Sequence, residues 1–191
     1  MNSPVVGILL AAGNSERFGS NKLLHNLDGQ SMLIRTAKNL VSVVPESVVI
    51  ISPQLEFLTN ELEQLGLRVV MNWHSERGMG SSIACGVTAS PTAAAWLVYL
   101  ADMPYIKVET MQSLVSRLQS GADLVAPFLG EQRGHPVGFS QRHYDALASL
   151  DGDSGARQIL HKYENELVRV PTTDKGVLID IDKKQDLDII A

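Results

Sequence analysis

Three groups of residues in this chain carry the chemistry. The first is a loop. An apolar run, Val5-Val6-Gly7-Ile8-Leu9-Leu10-Ala11-Ala12, stops at Gly13 and passes into Asn14-Ser15-Glu16-Arg17-Phe18-Gly19-Ser20-Asn21-Lys22. A glycine-containing loop after a buried strand turns backbone N–H groups toward a phosphate, because Gly accepts the required backbone angles and has no side chain in the way. Arg17 and Lys22 add positive charge: a guanidinium grips two phosphate oxygens at once, an ammonium acts as a point charge. Two familiar phosphate loops do not fit. A P-loop needs Gly, four residues, then Gly-Lys-Ser/Thr, but here five residues separate Gly13 from Gly19 and Lys22 comes three after Gly19. The dinucleotide fingerprint needs a second Gly two positions after the first, where this chain has Ser15. The second group is Asp102, directly after the apolar run Ala94 to Leu100. A carboxylate at the end of a central strand faces the edge that carries the Gly13 loop, where open α/β sheets bind ligands. One Asp there suits Mg²⁺, which takes one or two carboxylates plus phosphate oxygens and water. The other reading is that Asp102 caps a following helix, with Pro104 in its first turn. The third group is Asp180 and Asp182, which alternate with Ile179 and Ile181 and so face one side of an extended segment.

Further polar clusters lie between these. Gly78 and Gly80 flank a tight turn, and Ser81 and Ser82 open a helix of small residues; exposed N–H groups and hydroxyls there suit an anionic or polar ligand edge, though an ordinary capped helix reads the same way. Gly130 to Phe139 reads as a hairpin whose polar tip carries His135 and Pro136. The stretch Leu150 to Arg157 holds Asp151, Asp153 and Gly155 ahead of a helix from Ala156; turns enrich Asp in the same way as metal sites. Cys85 reads as a small core residue, and Asp186 as an acid in the first turn of a terminal helix.

Leu10-Ala11-Ala12-Gly13-x-Ser15-x-Arg17-Phe18-Gly19-x-x-Lys22 closely resembles the signature of nucleotidyltransferases that move a nucleotide monophosphate from an NTP. Within that superfamily the chain is most similar to the molybdenum cofactor cytidylyltransferases and their guanylyltransferase cousins. The resemblance spans nearly the whole sequence. It implies a single three-layer α/β/α domain over residues 1–191, Rossmann-like and mostly parallel with a small antiparallel insertion, of the nucleotide-diphospho-sugar transferase-like kind. It implies that residues 10–13 with Ser15, Arg17 and Lys22 wrap the triphosphate, and that Gly78, Gly80, Ser81 and Ser82 pack near base and ribose. Asp102-Met103-Pro104 resembles the metal motif, and Ile179-Asp180-Ile181-Asp182 the closing motif that completes a Mg²⁺ site, with Asp180 as preferred ligand and Asp182 as the alternative or a helix cap. His135 and Pro136 match the acceptor-side region, where relatives often carry Asn in place of His135. Asp153 and Gly155 match a loop near the acceptor pterin. Relatives usually have Thr-Pro where this chain has Lys183-Lys184. The implied reaction is CMP transfer from CTP to a molybdopterin-type acceptor, with release of pyrophosphate. Its rivals are GTP as donor, a sugar or alditol phosphate as acceptor, a non-catalytic maturation chaperone for a molybdoenzyme, and an NAD-dependent oxidoreductase, which the missing dinucleotide glycines disfavour.

These groups need a scaffold that brings them to one edge. Ser47 to Ser52, Leu67 to Met71, Ala94 to Leu100, Asp123 to Phe128 and Leu167 to Pro171 read as further strands. They alternate with helices over Ser31 to Leu40, Gln54 to Leu65, Ser81 onward, Val108 to Leu118, Gln141 to Leu150 and Ala156 to Tyr163. That alternation predicts right-handed βαβ units and a parallel sheet. With 191 residues the chain is long enough for one full core. A net charge of −5 argues against a nucleic-acid partner. One cysteine excludes an internal disulfide and fits a reducing cytoplasm. No apolar run reaches membrane length, and the N-terminus lacks a signal-peptide layout.

Overall fold

The structure, a computed structural model, describes residues 4–13, 21–182 and 186. Ser15 and Arg17 of the expected phosphate loop lie outside these, as do Lys183, Lys184 and most of the stretch expected to form a terminal helix. Strand β1 (Val5–Ala11) lies in the interior of the sheet. Around it run β4 (Ser47–Ile51), β5 (Arg68–Met71), β6 (Ala95–Leu100), β7 (Leu124–Leu129), β9 (Val137–Ser140) and β10 (Leu167–Pro171), with the short β8 (Gln132–Arg133) paired to the end of β7. The order is β10-β7-β9-β6-β1-β4-β5. β1 is parallel to β4 and β6, while β9 is antiparallel to both β6 and β7. A separate antiparallel pair, β2 (Asn26–Leu27) with β3 (Gln30–Ser31), is closed by the Asp28-Gly29 turn.

Both sides of β1 are covered, which is why its sequence is apolar at every position rather than alternating. Val5, Leu9 and Ala11 belong to one core, with α1 (Met32–Val43), α2 (Thr59–Gln64) and α4 (Val108–Gln119). Val6, Ile8 and Ala12 belong to the other, with α3 (Met79–Ala89), α5 (Tyr144–Ala148) and α6 (Arg157–Lys162). The result is a three-layer α/β domain, mostly parallel, with a small antiparallel pair. Ser31 caps α1, accepting from Ile34 N–H at 3.3 Å.

Three segments differ from the sequence expectation; in one, the helix expected over Gln141 to Leu150 is a 3₁₀ segment, Gln141–His143, followed by α5. Residues 54–65 do not form one α-helix: Pro53–Leu58 is a 3₁₀ segment and α2 follows. Leu55 and Leu58, three apart, then share the buried side, as the three-residue 3₁₀ repeat requires. Pro104 does not open a helix either. α4 begins at Val108, so Asp102 is not a helix cap but part of the turn leaving β6. The first turn of α4 is served instead from far along the chain: Lys107 N–H and Thr110 Oγ1 both donate to Asp174 Oδ2, at 2.8 and 2.9 Å. No helix among the described residues is long and apolar enough to cross a membrane.

Candidate active site

The register of β1 against β6 pairs Leu10 with Leu100, so the two strands end level. The Gly13 loop and Asp102 therefore leave the sheet side by side. Asp102 is held by its backbone. Four consecutive carbonyls of its turn each accept a hydrogen bond: Ala101 from Thr36 Oγ1 at 3.0 Å, Asp102 from Ile181 N–H at 2.9 Å, Met103 from Tyr99 OH at 2.9 Å and Pro104 from Asn39 Nδ2 at 3.4 Å. The bond from Ile181 also anchors the closing segment, which carries Asp180 and Asp182 past the same edge.

Lys22 reaches into this corner from the far side of the loop. Its Nζ donates to Asp102 Oδ2 at 2.8 Å and to Asp182 Oδ1 at 2.7 Å. The ammonium is well buried, with its side chain 14% exposed. Burial alone would lower its pKa, but Asp102 and then Asp182 outweigh that and hold it above the ordinary lysine value. Burial pushes the Asp102 carboxyl up, Lys22 pulls it back only in part, and the Asp180 charge adds to the rise. Asp102 Oδ1 is buried with no hydrogen-bond partner. An unsatisfied carboxylate oxygen beside a second carboxylate is the donor set a hard divalent cation takes when phosphate oxygens and water complete its shell. Among the described residues no group of three His, Cys, Asp or Glu forms a full protein cage.

Two cavities adjoin here. The larger, about 630 Å³, is lined by Leu10, Ala12, Gly13, Lys22, Gly78, Ser82, Asp102 and Asp182 among others. The second, about 410 Å³, is lined by His135, Asp180 and the apolar Val98, Val137 and Phe139. They share Met79, Leu100 and Asp153. Ala11 faces the core, and neither Gly80 nor Ser81 lines a cavity. Ser81 is committed to the helix start, donating to Gly78 O at 2.8 Å, while buried Asn72 donates to both Ser81 and Ser82 hydroxyls at 3.0 Å. Asp180 and Asp182 do not act together: Asp182 shares the Lys22 ammonium with Asp102, whereas Asp180 lines the second cavity.

The glycines of the 78–80 turn have a tertiary cause. Gly78 has φ +94°, and a side chain there would meet Asp153 and Gly152. At Gly80 a Cβ would lie 2.7 Å from the Asp151 carbonyl oxygen, and the Gly80 N–H donates to Gly152 O at 2.8 Å. The loop beside the first cavity is thus packed backbone to backbone against the Asp151–Asp153 loop of the second. Arg77 ties the same two loops by an ion pair to Asp151. Gly155 is buried against Met79, and Pro136 follows a cis peptide bond and is buried outside both cavities. His135 is tied to the closing segment, its N–H donating to Val177 O at 2.9 Å. Burial, then Arg133 and Arg157, lower its imidazole pKa to about 4, with Asp180 opposing, so the ring is neutral at neutral pH. Its Nδ1 is buried without a partner.

Two residues escaped the sequence reading. Asp174 accepts from Lys107, Thr110 and Gly176 and fixes the closing segment; the Asp-Lys-Gly turn was its only local signal. Arg133 lines the second cavity together with Arg157, which ends the Leu150 to Arg157 stretch.

The carboxyl edge of the sheet thus brings together Gly13, a Lys–Asp pair and two adjoining cavities. Comparison with known proteins gives the class and the family. The solved structure of an Rv0371c homologue from Mycobacterium sp. strain JC1 superposes with a TM-score of 0.84 at 26% identity, covering 100% of this chain and 96% of that one. Rv0371c from Mycobacterium tuberculosis in complex with manganese gives a TM-score of 0.79 at 19% identity, over 98% of each chain. Purine catabolism protein PucB of Bacillus subtilis is 29% identical over all of this chain and 98% of its own length. Nicotine blue oxidoreductase of Paenarthrobacter nicotinovorans is 30% identical over 93% of this chain and 92% of its own. A molybdenum cofactor guanylyltransferase of Desulfosudis oleivorans is 28% identical over 64% of this chain and 58% of its own. The domain is a nucleotidyltransferase by fold and family. The MobA-like NTP transferase domain matches residues 7–167, and the chain belongs to that family.

Proposed function

We propose that the protein transfers CMP from CTP to the phosphate of molybdopterin or its molybdenum form, in the cytoplasm, ahead of delivery to a molybdoenzyme. The observation that carries this reading is the Lys22 ammonium held between Asp102 and Asp182 at the wall of the larger cavity. The NTP takes that cavity and the acceptor the second. An acceptor phosphate oxygen forms the new bond to the α-phosphorus. The α–β bridging P–O bond breaks, and its electron pair leaves on pyrophosphate. Little covalent work falls to the protein; catalysis is positioning and charge stabilisation.

Gly13, with Ser15 and Arg17 in the loop, and Lys22 would hold the triphosphate. Gly78 and Ser82 would face base and ribose from the opposite wall, with Gly80 and Ser81 shaping that wall. His135, Pro136, Asp153 and Gly155 would form the acceptor side, the neutral His135 ring offering its unpaired Nδ1. Asp102, with Asp180 as the preferred second carboxylate and Asp182 as its alternative, would hold Mg²⁺, which would supply Lewis-acid neutralisation of phosphate charge. Support for a molybdenum-cofactor acceptor comes from the resemblance of the loop and from the guanylyltransferase relative. The nicotine blue oxidoreductase relative favours a second, redox reading.

One assay separates these. Pyrophosphate release is measured with Mg²⁺, either molybdopterin or a sugar phosphate as acceptor, and each of CTP, GTP, ATP and UTP, alongside loss of NADH absorbance without NTP. Release with CTP alone is the expected result. Release with GTP alone overturns the nucleotide, release only with a sugar phosphate overturns the acceptor, and NADH consumption without release overturns the reaction.

A further inference from the structure

Asn72 lines neither cavity, yet its buried amide sits directly behind the larger one. It follows β5, and its N–H donates to Ile51 O at 2.8 Å, so the pairing of β4 with β5 fixes its place. Its Oδ1 accepts from His74 N–H at 3.0 Å. A backbone N–H can only donate, so this bond decides which end of the amide is the oxygen. Nδ2 therefore turns toward the start of α3. Its protons go to Ser81 Oγ and Ser82 Oγ, each at 3.0 Å.

The protons of this network can be followed one by one. A hydroxyl has a single proton to give and lone pairs with which to accept. Both serine oxygens already accept from Asn72. Ser81 gives its proton to Gly78 O at 2.8 Å, within the start of its own helix. Among the described residues nothing accepts from the Ser82 hydroxyl. Ser82 is 5% exposed and lines the larger cavity, whereas Ser81 does not line it. The Ser82 proton is thus the one left to give, and a ligand in that cavity has to take it. A buried hydroxyl proton without an acceptor costs the full desolvation of the group.

We propose that Asn72 is a positioning residue: by occupying the Ser82 oxygen it turns the Ser82 proton into the larger cavity, toward an acceptor atom on the base of the donor nucleotide. This rests on the placement of the NTP in that cavity with its base toward Ser82. Cytosine offers N3 and O2 as such acceptors. A base edge that presents a donor at the same point is rejected, because a site built on a fixed hydrogen bond discriminates strongly against a ligand that leaves it unmade. A ribose hydroxyl both gives and accepts, so its binding does not depend on the direction that Asn72 sets.

The test is a double-mutant cycle on the full chain, read by calorimetric titration without acceptor. The ligands are CTP, or GTP if that is the nucleotide bound, and inorganic triphosphate, which has no base. Asn72→Asp keeps the shape of the side chain, but its carboxylate only accepts and draws the Ser82 proton away from the cavity. The nucleotide should bind about 10-fold more weakly in Asn72→Asp and in Ser82→Ala, with no more than about twofold further loss when the two are combined. Triphosphate affinity should stay within about twofold throughout. Should Asn72→Asp not fold, Asn72→Ala takes its place, with a loss of about threefold that again vanishes beside Ser82→Ala. Equal losses for nucleotide and triphosphate, or losses that multiply in the double variant, overturn the positioning role and leave Asn72 a brace for the loop. Unchanged nucleotide binding in Asn72→Asp overturns it too, and assigns Ser82 to ribose. Failure to release pyrophosphate defeats the reaction proposed above, while the cycle still decides the role of Asn72. Binding of triphosphate and of no NTP defeats both.

Discussion

Lys22 Nζ lies 2.8 Å from Asp102 Oδ2 although 80 positions separate the two residues. One opens the 3₁₀ segment Lys22–Leu24, the other lies in the turn after β6, and the two meet at the carboxyl edge where β1 and β6 end level. The pair gives the larger cavity a cation and an anion at a single point.

Lys22→Ala leaves Asp102 half-buried with both oxygens unpaired. Stability should fall by about 1–3 kcal/mol, the usual cost of an unsatisfied buried polar group. Turnover should fall about 100-fold or more, as when one donor to developing charge is removed. Adding Asp102→Asn should restore most of the stability and none of the turnover, and Asp102→Ala alone should abolish turnover in a folded protein. Thermal unfolding and pyrophosphate release on the four variants check this cycle; wild-type rates in Asp102→Ala would remove it from the site.

Asp174→Ala should cost about 2–4 kcal/mol, because its carboxylate serves three donors, of which only Thr110 has a second contact, to Thr172 Oγ1 at 3.5 Å. Asp174→Asn should lie between, since an amide keeps one acceptor oxygen. Both should lower turnover more than the distance from the cavity suggests, through the closing segment that carries Asp180 and Asp182. Denaturant melts paired with kcat measure the two effects; unchanged stability in Asp174→Ala would dismiss the carboxylate as an anchor.

Gly80→Ala places a Cβ 2.7 Å from the Asp151 carbonyl oxygen, with backbone rather than a flexible side chain in the way. The strain should cost about 1–3 kcal/mol. It should also raise KM for donor and acceptor together, because the two loops share this contact. Steady-state kinetics with both substrates varied would show it, and a rise confined to one substrate would argue that the loops move independently.

His135 gives a pH signature. Its folded pKa of about 4 lies below the ordinary 6.5, so the unfolded chain binds a proton more readily. Stability from the neutral buried ring is therefore complete above pH 6.5 and is lost as pH falls toward 4. His135→Gln should flatten that part of the profile. Urea unfolding across the interval tests it; identical slopes in wild type and variant would mean the ring is not held neutral.

The sequence by itself determined the long strands, their alternation with helices, Gly13 after the end of β1 and Asp102 after the end of β6. Runs such as Val5–Ala12 and Ala94–Leu100 record burial on both faces, and a Gly or Asp at their ends records where the chain leaves the sheet. Only the tertiary structure decided which acid meets Lys22, since Asp180 and Asp182 are alike in local pattern and differ only in the cavity each faces. Only it showed why position 80 is Gly, that Asp174 caps α4 from another segment, and that Arg133 and Arg157 line the same cavity. The physical reason is common to these cases. Periodicity reports the environment of a residue's own element, whereas a polar pairing between loops depends on how distant elements pack, and no local spacing encodes that.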